Sequence, residues 1–171
     1  MQNKKHLIFT IVVGVLALAM NVFIIVQSCL NGARSSESSG ILVNLLKSFI
    51  NFFNKETINE DNIEAFTGVV RKFIGHFGFF LISGGLTSWS VYLISGYLKK
   101  YKHYMGIIFT LCLGLFLAGL TELIQAFVPD RSPQITDVLI DFSGYLLGAL
   151  IIGLILFLVI KHLRKKETSA V

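Results

Sequence analysis

Lys72, His76, Glu122, Gln125, Arg131, Asp137 and Asp141 are the side chains of this sequence best placed to move a proton or grip an anion. Each lies within or beside a strongly apolar run. Ionisable groups in hydrocarbon cost about 2.5–3.5 kcal/mol each on insertion scales, so where they stand carries information. Lys72 and His76, Glu122 and Gln125, and Asp137 and Asp141 are spaced three or four residues apart, which puts each pair on one helical face. An imidazole oriented by a carboxylate is the arrangement of general acid–base chemistry, and for that chemistry His76, Glu122 and Asp137 are the catalytic candidates. Lys72, His76 and Arg131 form the complementary set. A guanidinium is suited to clamping a phosphate or bridging carboxylates.

Other chemistry is missing from the local patterns. His76 has no partner at HxxxH or HxxE spacing, no His/Cys cluster has zinc spacing, and there is no Walker-type glycine loop and no G-x-S-x-G elbow. Neither a metal nor a cofactor is expected on these grounds. Cys29 and Cys112 stand at different depths, which argues against a mutual disulfide.

The elements that must position these residues are membrane spans. Hydrophobic residues make up 54% of the chain, charged residues 15%, and the mean hydropathy is +0.72, values outside the soluble range of roughly 45–50% and 25%. A bilayer core needs about 20 apolar residues per helix. Segments 7–26, 73–98, 104–128 and 138–160 meet that need, so residues 1–171 are expected to form one all-α membrane domain, a four-helix bundle. The first segment is longer than a signal-peptide core and lacks a small-x-small cleavage site, which favours a retained helix over a leader. Val26-Gln27-Ser28-Cys29 only faintly resembles a lipoprotein box.

Lys4 and Lys5, then Lys99, Lys100 and Lys102, then Lys161, Arg164, Lys165 and Lys166 all fall on one side of these spans, with Glu167 their single acidic neighbour. On the other side basic residues are outnumbered by acidic ones. The positive-inside rule predicts both termini in the cytoplasm. Net charge is +5, but the basic residues flank spans instead of interleaving with aromatics, which argues against nucleic acid. Within the extracytoplasmic segment 28–72, Ser35 to Gly40 reads as a polar linker. Apolar residues then recur at 42, 45, 46, 49, 50 and 53, the pattern of an amphipathic helix on the outer leaflet or packed over the bundle's mouth.

All the polar candidates fall in the outer ends of spans two, three and four. Taking span three to run to the Pro129 turn, Glu122 lies about 10 Å deep. Gly114, Ala118, Glu122 and Gln125 share one stripe, and Asp137, Asp141, Gly144 and Gly148 another. Gly144 and Gly148 are expected to serve packing, and Ser83 and Thr87 extend the His76 face. Pro129 stops span three, and Ser132-Pro133 reads as an N-cap followed by proline at N1 of span four. Arg131 is then held near Glu122, Asp137 and Asp141. The alternative for each residue is ordinary packing, Glu122–Arg131 as a structural pair and Asp137 as a dipole partner among them.

Lys72-x-x-x-His76-Phe77-x-x-Phe80, Glu122-x-x-Gln125-x-Phe127-x-Pro129-x-Arg131 and Asp137-x-x-x-Asp141-x-x-Gly144-x-x-x-Gly148 together resemble the VanZ-like family over residues 71–153. Asp141 stands where that family commonly has Asn, and Arg71 where an acidic residue often precedes the Lys. The resemblance implies a small bacterial cell-membrane protein, Gram-positive, whose namesake is associated with resistance to teicoplanin-type glycopeptide antibiotics. The resulting expectation is a non-enzymatic envelope protein that binds an amphiphile from the outer leaflet through Lys72, His76, Glu122, Gln125, Arg131, Asp137 and Asp141. Ligand candidates are a lipid-phosphate, a lipid-linked peptidoglycan precursor or the antibiotic. A membrane-embedded hydrolase or transferase and a small transporter or flippase are the alternatives. Self-association is left open.

Overall fold

In the computed structural model, residues 4–30, 32–55, 57–97, 103–129 and 131–169 are described, and among them every regular element is helical. Helix α1 spans Lys4–Ser28, α2 Gly32–Phe53 and α3 Ile63–Val70. A π-helical stretch, Arg71–Gly78, joins α3 to α4, Phe79–Ser95; α5 is His103–Gln125 and α6 Ile135–Ser169. Four of these units are long and apolar enough to cross a membrane: Lys4–Ser28, Ile63–Ser95, Tyr104–Gln125 and Ile135–His162. The chain is therefore a multi-pass membrane protein. Apolar rows face outward, such as Leu7, Ile11 and Leu18 on α1 and Leu150, Leu154 and Phe157 on α6, while span two is the most enclosed of the four. Such apolar exposure would be a liability in water and is the natural surface against lipid.

The boundaries differ from the sequence expectation in informative ways. Span two, bounded at Phe73 by its apolar content, is continuous with the helix from Ile63, as the helical spacing of Ile63, Phe66, Val70, Phe73 and Phe77 leading into the span predicts. Its expected end at Leu98, and Lys99, Lys100 and Lys102 after it, lie outside the described residues. Span three stops at Gln125 and not at Val128. Turn hydrogen bonds from Phe127 N–H to the Ile124 carbonyl and from Val128 N–H to that of Gln125 close it early. Glu122 thus sits in the last turn of α5, about 4.5 Å from the helix end and not 10 Å deep. Span four starts at Ile135, two residues after the Pro133 expected at N1. The Asp137 N–H already returns to the Gln134 carbonyl at 2.8 Å, while the Gln134 N–H is used elsewhere.

Helix α2 includes the serine-rich stretch that read as a linker. Serine costs a helix only a few tenths of a kcal/mol and no proline interrupts the run. Val43 is buried at 4% exposure and Leu42 lines the internal cavity, while Ile41, Leu45, Phe49, Phe52 and Phe53 are exposed. The helix covers the bundle with one edge and presents a second apolar edge outward.

Helix α6 packs most extensively on α4, along a seam that side chains would block. A Cβ on Gly144 would overlap the Phe77 carbonyl, one on Gly148 the Leu81 carbonyl and one on Gly84 the Tyr145 carbonyl. Tyr145, fully buried, lies against Gly114 of α5. Together with Ile24, Phe80, Leu117 and Ala118 it makes the core. Helix α1 is pinned by Asn21, which accepts from Ser83 Oγ at 2.6 Å and donates to Thr87 Oγ1 at 3.4 Å. Ser83 and Thr87 therefore serve the α1–α4 contact and do not extend the His76 face into a pocket.

Candidate functional site

A cavity of about 260 Å³ opens where the C-terminal ends of α1 and α5, the π stretch and the N-terminal end of α6 meet. One wall is apolar, built by Phe23, Ile24, Leu42, Ile74, Phe79 and Phe80. The other carries Gln27, Arg71, His76, Gln125, Arg131 and Asp141. The sequence placed this pocket among spans two, three and four. The first span and α2 also contribute to it.

The π stretch decides which basic residue faces inward. In an α-helix, residues five apart point about 140° from one another; in i→i+5 geometry they come close to one face. Arg71 and His76 therefore share the cavity wall, with Gly75 beside them. Lys72 is turned away and pairs with Asp137 Oδ1 at 2.9 Å, donating also to Gln134 Oε1 at 3.2 Å.

Behind the wall runs a chain of polar contacts. Asp137 Oδ2 lies 3.9 Å from His76 Nε2, and His76 Nδ1 is hydrogen-bonded to Asp141 Oδ1 at 3.0 Å. Thr121 Oγ1 donates to Asp141 Oδ2 at 3.4 Å. Asp141 is fully buried, so both its oxygens need these partners. Glu122, 6% exposed, accepts the Gln134 backbone N–H on Oε2 at 2.8 Å, while its Oε1 is buried without a hydrogen-bond partner. A donor atom from each of His76, Glu122 and Asp141 lies within 4.8 Å of the others.

Among the described residues Arg131 bridges no carboxylates. Its Nε donates to the Leu30 carbonyl at 3.4 Å, and among the described residues no ion pair joins it to Glu122, Asp137 or Asp141. Burial and the neighbouring Arg71 push its guanidinium down from its ordinary range, only partly offset by Glu122. Arg71 likewise forms no ion pair among the described residues, and its Nε is buried without a partner. Two guanidiniums thus face one cavity, neither ion-paired with a carboxylate among the described residues.

A family model described as VanZ/LLP1 matches residues 7–158. The chain belongs to the VanZ/LLP1 family. No curated protein and no solved structure matches it. The match takes in the first span and α2, where no motif was recognised, as well as the blocks around His76, Glu122 and Asp137.

Within this VanZ/LLP1 fold the expected residues divide. His76, Gln125, Arg131 and Asp141 line the cavity and Lys72, Glu122 and Asp137 do not: Asp137 faces His76, Lys72 pairs with Asp137, and Glu122 holds the Gln134 N–H. Gly144 lies against the Phe77 carbonyl of the π stretch and Gly148 against the Leu81 carbonyl of α4. Arg71 and Gln27 were not selected from the sequence, yet both line the cavity. The signal that could have found Arg71 is the glycine pair Gly75 and Gly78 close behind it, which loosens the α-helical register. The His76–Glu122–Asp141 donor set has no signature at all in local spacing, because its members come from three helices.

Proposed function

We propose that this VanZ/LLP1 protein is an envelope component whose cavity binds the anionic head of an amphiphile, with the apolar wall receiving the start of its hydrocarbon. The observation that supports this reading is the pair Arg71 and Arg131, two guanidiniums that line one cavity and form no ion pair with a carboxylate among the described residues. Planar, permanently charged groups of this kind match phosphate bidentately. The ligand classes are a lipid-phosphate, a lipid-linked peptidoglycan precursor or a glycopeptide antibiotic. The expected consequence is a lowered susceptibility of the host to teicoplanin-type compounds. The cavity end faces outward in this reading, with both termini in the cytoplasm, following the Lys/Arg asymmetry of the sequence.

The test is equilibrium binding of a fluorescent polyprenyl pyrophosphate to the protein in zwitterionic nanodiscs. Saturable binding is expected, with Arg71→Gln and Arg131→Gln each weakening it about 10–100-fold, the worth of one hydrogen-bonded charge. Lys72→Gln should weaken it less. Equal binding of an uncharged polyprenol would overturn the reading.

The His76–Asp141 pair favours a second reading, a membrane-embedded hydrolase or transferase with His76 as general base. Release of phosphate from the same lipid, abolished in His76→Gln, would distinguish it.

A further inference from the structure

We propose that His76, Glu122 and Asp141 form a binding site for a first-row divalent cation, zinc or manganese, reached from the cavity along the side that His76 and Asp141 line. Imidazole nitrogen with carboxylate oxygens is a donor set suited to such ions. One donor atom from each residue lies within 4.8 Å of the other two, and the two carboxylates are 6% and 0% exposed. An acidic cluster alone would not call for an ion. The independent observation is Glu122 Oε1, which is buried without any hydrogen-bond partner. Its twin, Oε2, is held by the Gln134 N–H at 2.8 Å. A buried carboxylate oxygen left in this way costs free energy unless something electropositive meets it.

Three further features fit an ion. His76 Nδ1 and Asp141 Oδ1 are 3.0 Å apart, the separation that two bonds of about 2.0–2.2 Å subtend at about 90° on one centre. With Nδ1 as ligand, Nε2–H is left to face Asp137, itself tied to Lys72 at 2.9 Å. A carboxylate beyond the imidazole is the usual outer partner of a metal-bound histidine. A doubly charged cation with two carboxylates and a neutral imidazole also sums to zero charge, which is the least costly state within a span. His76 and Asp141 line the cavity, so a water or an oxygen of a bound molecule completes the coordination from that side. The inference stands independently of the anion reading.

The experiment measures metal in the full-length protein purified in detergent without chelators, then titrates EDTA-stripped protein with Zn2+ and with Mn2+ by calorimetry. Roughly one ion per chain is expected, with saturable rebinding of at least one of the two. Asp137→Asn, acting through the imidazole, should weaken it about 10–100-fold, and Glu122→Gln and Asp141→Asn should weaken it more. Unfolding temperatures in EDTA show whether each variant is folded. Should Glu122→Gln not fold, Co2+ added to the stripped wild type keeps the question answerable: visible ligand-field bands bleached by equimolar Zn2+ are expected. Stripped wild type that takes up neither ion saturably, or uptake unchanged in Glu122→Gln and Asp141→Asn, overturns the site. Lipid binding by EDTA-treated protein, read through Arg71 and Arg131, is a separate measurement, so the two proposals fail separately.

Discussion

The backbone N–H of Gln134 donates to Oε2 of Glu122 at 2.8 Å, fastening the start of α6 to the last turn of α5. The turn between the helices is therefore closed by a side chain and not by the expected proline-led cap. Glu122→Gln retains an oxygen acceptor for that N–H, whereas Glu122→Leu does not. The Leu variant is expected to lose about 1 kcal/mol more than the Gln variant, measured by reversible denaturation in detergent. Equal stabilities would mean that this bond does not hold the turn.

Where α6 meets the π stretch and α4 the expectation is steric. Gly148→Ala drives a methyl into the Leu81 carbonyl and Gly144→Ala one into that of Phe77, each costing about 1–3 kcal/mol or more. Gly119 and Gly153 meet nothing within 4 Å, so alanine there should add up to about 1 kcal/mol through helix propensity. Thermal unfolding of the four variants in one detergent compares them. If Gly148→Ala is as stable as Gly153→Ala, the helices do not approach along this line.

Asn21 ties α1 to α4 through Ser83 and Thr87. Asn21→Leu leaves both hydroxyls without that partner and is expected to cost about 0.6–1.7 kcal/mol, the range of interhelical hydrogen bonds in membranes. A double-mutant cycle with Ser83→Ala reads the coupling, which should approach zero only if the contact is incidental.

Asp141 receives His76 on one oxygen and Thr121 on the other. Asp141→Asn keeps an acceptor for the imidazole and should unfold less than about 1 kcal/mol more easily. Asp141→Leu removes both contacts at a buried position and should cost about 3–5 kcal/mol. Glycopeptide susceptibility of a host expressing each variant, normalised to membrane protein level, gives the functional counterpart. Indistinguishable Asn and Leu variants would remove hydrogen bonding as the role of Asp141.

The topology prediction is read by impermeant maleimide on intact protoplasts. Cys29 and Cys112 are both free and exposed, so they are first replaced by Ser. Asn59→Cys should then label directly and His162→Cys only after permeabilisation. The reverse pattern would invert the orientation and place the cavity at the cytoplasmic face.

What the sequence determined by itself is what depends on composition and local spacing. Apolar runs of span length are dictated by the bilayer's thickness, so the all-α bundle and its four crossings were legible before any coordinates. Gly144 and Gly148 stood out too, because small residues at helical spacing let membrane helices approach closely. The VanZ-like motif blocks carried the family. Tertiary structure decided the rest, because a site built by three helices depends on rotation about each helix axis, which local spacing does not set. The π stretch turned Arg71 toward the cavity and Lys72 away from it. Early closure of α5 brought Glu122 to the Gln134 N–H instead of to Arg131. The same rotations gathered His76, Glu122 and Asp141 within 4.8 Å, a donor set spread over 66 positions of sequence, from 76 to 141 inclusive.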